Sequence, residues 1–148
     1  MRIIGGYVHQ MSQRVIVLFA RLALGIGFLS AVADRFGLWG PSGTRNVAWG
    51  DFQHFVQYTA RLNPELPARV IRPLGVFVTV CEIAFGVALI AGVGVRIIGL
   101  LSGALLLAFA VGMSVGTGPK TALDASVFAA SAASFLLASQ VQHRKPNG

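Results

Sequence analysis

The stretch LGVFVTVCEIAFGVALIAGV, residues Leu74–Val93, decides the fold of this chain. Its only charge is Glu82, and every other residue is apolar or small. An α-helix rises about 1.5 Å per residue, so this run is long enough to cross a hydrocarbon core of about 30 Å. Because apolar residues occupy all of its faces, the run predicts a membrane-spanning helix rather than the striped helix of a soluble bundle.

Three further apolar runs have a similar length and the same character. Together the four runs predict transmembrane helices over residues 15–33, 73–93, 97–115 and 121–138. The links after the second and third runs are short, which makes neighbouring helices antiparallel. The sequence therefore predicts an all-α integral membrane protein. It forms a single domain over residues 1–148, built as an antiparallel bundle of four transmembrane helices.

The composition excludes several classes of protein. Of the 148 residues, 55% are hydrophobic and 11% are charged, whereas soluble domains carry about 25% charged residues. The net charge of +7 does not indicate nucleic-acid binding, because the cations lie beside apolar runs instead of clustering on a polar face. The single cysteine, Cys81, rules out an internal disulfide. No cluster of His, Cys, Asp and Glu has metal-ligand spacing, so no metal site is predicted.

The first run has a second interpretation, as a cleaved signal peptide ending near Ser30 and Ala33. Arg21 within the run and the length of the run argue against cleavage, and we interpret the segment as a helix. An even number of crossings places both termini on one side of the membrane. That side carries five cations and no acid among them: Arg2, Arg14, Arg96, Arg144 and Lys145. Because cations favour the cytoplasmic side, we expect cytoplasmic termini.

A long polar connection, residues 34–73, joins the first two runs. Within it, residues 48–62 predict an amphipathic helix, because apolar positions recur at steps of three and four: Trp49, Phe52, Phe55, Val56 and Thr59. Its aromatic content suits a segment lying at the membrane–water interface. Two interpretations remain open, an interfacial anchor or a lid over the mouth of the bundle. Asp34 and Arg35, where the first helix ends, are expected to be surface anchors.

Rows of small residues mark the third and fourth predicted transmembrane helices. The third carries the pair Gly99 and Gly103 and a second row at steps of four: Ala104, Ala108, Gly112 and Gly116. The fourth carries Ala122, Ser126, Ala130, Ser134 and Ala138. Such rows allow close packing of helices inside a membrane, so these two helices are expected to pack on each other. A homodimer through these faces is the alternative.

Two charges lie within the predicted spans. Arg21 lies in the first helix and Glu82 near the middle of the second, where an acid costs about 2.5–3.5 kcal/mol on insertion scales. We predict that Arg21 and Glu82 interact, directly or through one polar group. The interaction has two interpretations, an ion pair that sets helix register or a polar site for a small ligand or proton.

Two further residues are weaker candidates for ligand binding. Asp124 follows Thr121 at the spacing of a helix-start capping box, and Lys120 precedes it by four residues. His54 lies on the predicted loop helix, where Asp51 is placed to orient its ring. The simple interpretations are that His54 is solvated and that Asp124 caps a helix. The alternative for both residues is a role in binding a ligand or a proton.

Several motifs of this chain resemble the DoxX-like family of small four-helix membrane proteins. They are Arg21-x-x-x-Gly25-x-x-Phe28, Glu82-x-x-x-Gly86, Gly92-x-x-x-Arg96 and Gly118-Pro-Lys120 with Asp124. The resemblance covers most of the chain. It implies a multi-pass protein of the bacterial cytoplasmic (inner) membrane, with Arg21, Glu82, Arg96 and Asp124 as the polar residues of interest. It also implies an association with quinone-linked oxidation or with soluble redox enzymes.

Three functions follow as hypotheses. The first is a redox-associated membrane subunit that offers a quinone a polar contact at Arg21 and Glu82, and is at most one subunit of an oxidoreductase. The second is a non-catalytic scaffold that recruits a soluble or membrane redox partner. The third is a proton or small-solute transporter, which four helices without a visible repeat or broken-helix pair disfavour. No catalytic residue is identified, and no cofactor other than a quinone is indicated.

Overall fold

The structure, a computed structural model, describes residues 2–142 and the side chains of residues 11–141. Six helices follow one another along this range: α1 (Arg2–Arg35), α2 (Phe52–Leu62), α3 (Ala68–Ala91), α4 (Val95–Gly116), α5 (Pro119–Asp124) and α6 (Val127–Gln142). The all-α class is confirmed for the described residues. The predicted orientation also used Arg144, Lys145 and the side chain of Arg2, which lie outside the described residues.

Three helices are long and apolar enough to cross a membrane, over Met11–Arg35, Ala68–Ala91 and Val95–Gly116. They confirm the predicted helices over 15–33, 73–93 and 97–115. Both α1 and α3 begin earlier than predicted, because hydropathy marks only the apolar part of a helix. Backbone hydrogen bonds continue a helix through polar residues such as Arg69 and Arg72.

The predicted helix over 121–138 is wrong in its first part. Ser126 adopts a left-handed conformation with φ +56°, and its N–H donates to the Leu123 carbonyl at 2.9 Å. The chain therefore ends α5 at Asp124 and begins α6 at Val127. The apolar helix Val127–Val141 is shorter than the other three. The capping-box prediction is also wrong, because Asp124 ends a short helix instead of beginning the last long one.

Close backbone contacts join the long helices into two pairs. In the pair α1–α3, a Cβ atom on Gly25 would lie 2.8 Å from the carbonyl oxygen of Gly86. In the pair α4–α6, a Cβ atom on Gly99 would lie 3.1 Å from the Ser134 carbonyl oxygen. The Ser131 hydroxyl donates to the Gly103 carbonyl at 2.8 Å. The predicted packing between the last two long helices is thus confirmed for the row of Gly99 and Gly103.

The two pairs touch each other much less than the helices within each pair do. At one end of the bundle, Phe28, Leu89 and Leu137 from three helices form the apolar core. At the other end, α2 lies across the bundle, with Phe55 against Gly75 of α3 and Leu62 against Gly112 of α4. Large apolar side chains such as Phe19 and Val115 are exposed on the outer surface. A space therefore remains between the pairs, beneath α2.

Two glycines of α1 test the pairing. Gly25→Ala should lower the free energy of unfolding by about 1–3 kcal/mol, because the Gly86 carbonyl is backbone and cannot move aside. Gly27→Ala should be neutral or stabilising by up to about 1 kcal/mol, since a Cβ there meets no atom within 4 Å and alanine favours a helix. Denaturant titration in detergent micelles measures both. A Gly25→Ala protein as stable as Gly27→Ala would contradict this packing.

Candidate functional site

The end of α1 holds the segment that leads into α2. The Asp34 carboxylate accepts hydrogen bonds from three successive backbone N–H groups, those of Ala48 at 2.9 Å, Trp49 at 3.1 Å and Gly50 at 3.2 Å. Gly50 has φ +74°, and a Cβ there would lie 2.2 Å from the Ser42 nitrogen, so only glycine fits. Asp34 is therefore a buried organiser of the loop instead of the expected surface anchor.

Arg35, the next residue and the last of α1, is also buried, with only 2% of its surface exposed. Its guanidinium pairs with the Glu82 carboxylate and donates to the Thr79 hydroxyl at 2.8 Å. The guanidinium carbon lies 3.7 Å from the centre of the Phe55 ring and 5.2 Å from that of Trp49, within cation–π range. Arg35 thus connects α1 to α3 and to α2. The prediction that it anchors the chain at the surface is wrong.

A cavity of about 760 Å³ lies between the two helix pairs, a volume typical of small-molecule sites. Residues of α1, α3, α4 and α6 line it, and α2 covers it with Phe55, Tyr58 and Leu62. We call α2 the lid. Arg35 and Glu82 contribute the only charged side chains among the lining residues. Among the described residues, the buried Nε of Arg35 has no hydrogen-bond partner, so this wall of the cavity contains one unsatisfied donor.

Of the predicted site residues, Glu82 lies in the cavity wall, but its partner is Arg35 and the predicted pair with Arg21 is wrong. Arg21 donates from Nε to the Leu89 carbonyl and from Nη2 to the Ile90 carbonyl, each at 2.9 Å. These carbonyls belong to the last turn of α3, where no following turn of the helix supplies donors; the Leu89 carbonyl also accepts from the Gly92 N–H at 3.2 Å. Arg21 therefore caps α3, because the register of α1 on α3 places it beyond Glu82.

The other candidates lie on the outside of the bundle. The His54 ring nitrogen Nδ1 is 2.7 Å from Asp51 Oδ2, which confirms that Asp51 orients this ring, but both side chains are about half exposed. Asp124 pairs with Lys120 at 2.5 Å and its side chain is 64% exposed. Arg96 is exposed near the start of α4. None of the three candidates lines the cavity.

Sequence reasoning assigned no role to Thr79, and it led to the wrong role for Arg35 and Asp34. One signal was present, since Thr79 and Glu82 are three residues apart and therefore share a face of α3. Nothing in the sequence showed that Arg35 would meet that face. The sequence predicted an amphipathic helix over 48–62, as an anchor or a lid. The helix is observed over Phe52–Leu62, and burial of Phe55 and Thr59 confirms that one face packs inward.

Comparison of the chain with protein-family models, with curated proteins and with solved structures finds no match. The resemblance to the DoxX-like family, and the redox association that it implies, therefore stay predictions.

The Arg35–Glu82 pair should show strong coupling. Arg35→Leu alone should lower the free energy of unfolding by about 3–5 kcal/mol, because it leaves a buried carboxylate without a partner. Adding Glu82→Leu should recover most of that loss. The exposed pair provides a control, since Asp124→Ala should cost less than about 1 kcal/mol. Denaturant titration of the two single variants and of the double variant measures the coupling free energy between the two side chains. Losses of stability that simply add up would contradict an interaction between Arg35 and Glu82.

Asp51 should make the stability of the lid depend on pH. The backbone N–H of His54, and then its ring, hold the pKa of the Asp51 carboxyl below its ordinary value. Such a carboxylate stabilises the fold above its unfolded pKa of about 3.9 and loses that effect as the pH falls through the folded pKa. The wild type should therefore melt above Asp51→Asn at neutral pH, and the two melting curves should converge on acidification. A difference that does not change with pH would contradict this role.

Proposed function

We propose that the protein crosses a bilayer four times and binds a neutral, membrane-soluble molecule in the cavity beneath the lid. Such a molecule has a hydrogen-bond-accepting head group, as a quinone does. The observation that carries the proposal is Arg35, a buried cation in the wall of an apolar cavity, whose Nε finds no acceptor among the described residues. Buried donors normally find acceptors, and a ligand carbonyl would supply one.

The charges around the cavity favour a neutral head group. Glu82 already pairs with Arg35, and Asp34, next to Arg35 in the chain, adds a second buried acid. The formal charges of these three residues sum to −1, so an anionic head group would meet net repulsion in a low-dielectric site. A carbonyl oxygen needs only a donor. The repulsion of anions favours quinone-like ligands over phosphates and fatty carboxylates.

The remaining lining fits a flat apolar ring. Phe55, Phe28 and Phe77 supply aromatic surface, while Tyr58 and Asn63 on the lid side are polar groups for a second carbonyl. A quinone would supply two-electron redox chemistry when bound. With a single cysteine the chain cannot form an internal dithiol, so the protein would act as the membrane subunit of an oxidoreductase and electrons would come from a partner.

The placement in a membrane is supported by the three long apolar helices and by the apolar outer surface of the bundle. Exposed apolar area of this extent needs a nonaqueous environment. We propose the bacterial cytoplasmic membrane with cytoplasmic termini, which places the lid on the opposite side. The fourth crossing is then made by α6, continued by the short α5.

The test is extraction of bound lipids. Wild-type protein, purified in mild detergent from bacterial membranes, should carry quinone above its level in the bulk membrane extract, measured by mass spectrometry. The double variant Arg35→Leu with Glu82→Leu should lose this enrichment while keeping its melting temperature near that of the wild type, because two leucines replace a matched pair. Asp124→Ala, which removes an exposed carboxylate outside the cavity, should retain it.

Two outcomes would overturn the proposal. One is wild-type protein without quinone enrichment. The other is equal enrichment in the double variant. If the double variant instead captures the same soluble redox partner as the wild type and nothing is bound in the cavity, the scaffold hypothesis replaces this one. Solute flux through liposomes containing the protein alone would favour transport.

A further inference from the structure

The wall of the cavity between α1 and α6 is built of small residues. Ala23 and Gly27 of α1 line the cavity and are exposed, and Gly27 also borders a second hollow beside Trp39. A Cβ atom added to Gly27 would meet nothing within 4 Å. Across the gap, Val127 and Ala130 of α6 line the same cavity. We call this gap the seam.

The seam is open because these two helices meet elsewhere. Leu137 of α6 belongs to the core with Phe28, and Val17 and Leu24 of α1 pack against that core on the side away from the lid. Closer to the lid, α1 presents Ala23, Gly27 and Ala31 at steps of four, which places these small residues on one face. Small side chains on this face leave the gap unfilled.

The other junction between the helix pairs is more obstructed. Between α3 and α4 the lining includes the rings of Phe77 and Phe109. Phe77 is 64% exposed and lines the cavity. Aromatic rings fill space that glycine and alanine leave free, so we expect the seam to be the easier passage of the two.

A row of small residues alone would not indicate a ligand. The second observation is Arg35, which lines the same cavity, is 2% exposed and has an Nε that finds no acceptor in the part of the chain that the structure describes. A polar donor at the inner end and an apolar opening on the outer side match a molecule with a polar head and an apolar tail. A smaller hollow of about 500 Å³ borders Gly27 and Trp39 on the lid side of this opening.

We infer that the ligand reaches the cavity sideways from the bilayer, through the seam, with its head group leading toward Arg35. The inference rests on the proposed function and narrows it to chain-bearing molecules dissolved in the membrane. Gly27 is then a specificity-determining position, since any side chain there narrows the passage for the tail. Water-soluble quinones without a tail gain nothing from this route.

Stopped-flow fluorescence can test the route. The chain has two tryptophans, so Trp39→Phe leaves Trp49 beside Arg35 as the reporter. The parent Trp39→Phe protein in liposomes is mixed with vesicles carrying decyl-benzoquinone, which quenches tryptophan. Gly27→Phe should slow both binding and release about tenfold or more, while their ratio changes much less. Ile26→Phe, a neighbouring exposed position outside the cavity lining, should leave both rates within about twofold of the parent.

The outcomes separate this inference from the proposed function. Absence of saturable Trp49 quenching in the parent overturns the binding proposal itself. Saturable quenching with unchanged rates in Gly27→Phe overturns the route alone. Ala108 lines the cavity on the α4 side of the other junction. If Ala108→Phe slows the rates and Gly27→Phe does not, the route through the seam is also overturned, and the passage lies between α3 and α4. Gly27→Leu serves as the second variant if Gly27→Phe fails to fold, and it should slow both rates in the same direction.

Discussion

A buried arginine is the constraint on which the rest of this molecule depends. Removing a guanidinium from water is costly, and the cost is offset only when the charge has a partner in good geometry. Arg35 meets that requirement with the Glu82 carboxylate, the Thr79 hydroxyl and the face of Phe55. These groups come from α3 and the lid, so satisfying one side chain of α1 brings three helices to a single point.

The lid is held at two points for the same reason. Asp34 binds three backbone N–H groups before α2, and Arg35 contacts a ring within α2. Adjacent residues at the end of α1 therefore determine both where the lid begins and how its apolar face is presented. A carboxylate that accepts several backbone N–H groups resists displacement, because each freed group would lose its partner.

The cavity is a consequence of how the long helices pair. Glycines bring α1 close to α3 and α4 close to α6, and such contacts stabilise helices in a membrane, where no hydrophobic drive acts between them. Two tight pairs joined by few contacts leave a space between them. The core of Phe28, Leu89 and Leu137 closes that space at one end, and the lid covers the other. The polar pair lies in the wall of the same space.

By itself the sequence determined the helical class, three long apolar helices, an amphipathic helix between the first two of them and the presence of one acid, Glu82, within an apolar span. These features depend on hydropathy and on periodicity within a segment, which are local. It did not determine the partner of Glu82, the break at Ser126 or the cavity. Glu82 was assigned to Arg21, whereas contact of Gly25 with Gly86 sets a register that carries Arg21 to the end of α3 and Arg35 to Thr79 and Glu82. Register between two helices is decided by steric contact across sequence-distant surfaces, and only the tertiary structure contains that contact.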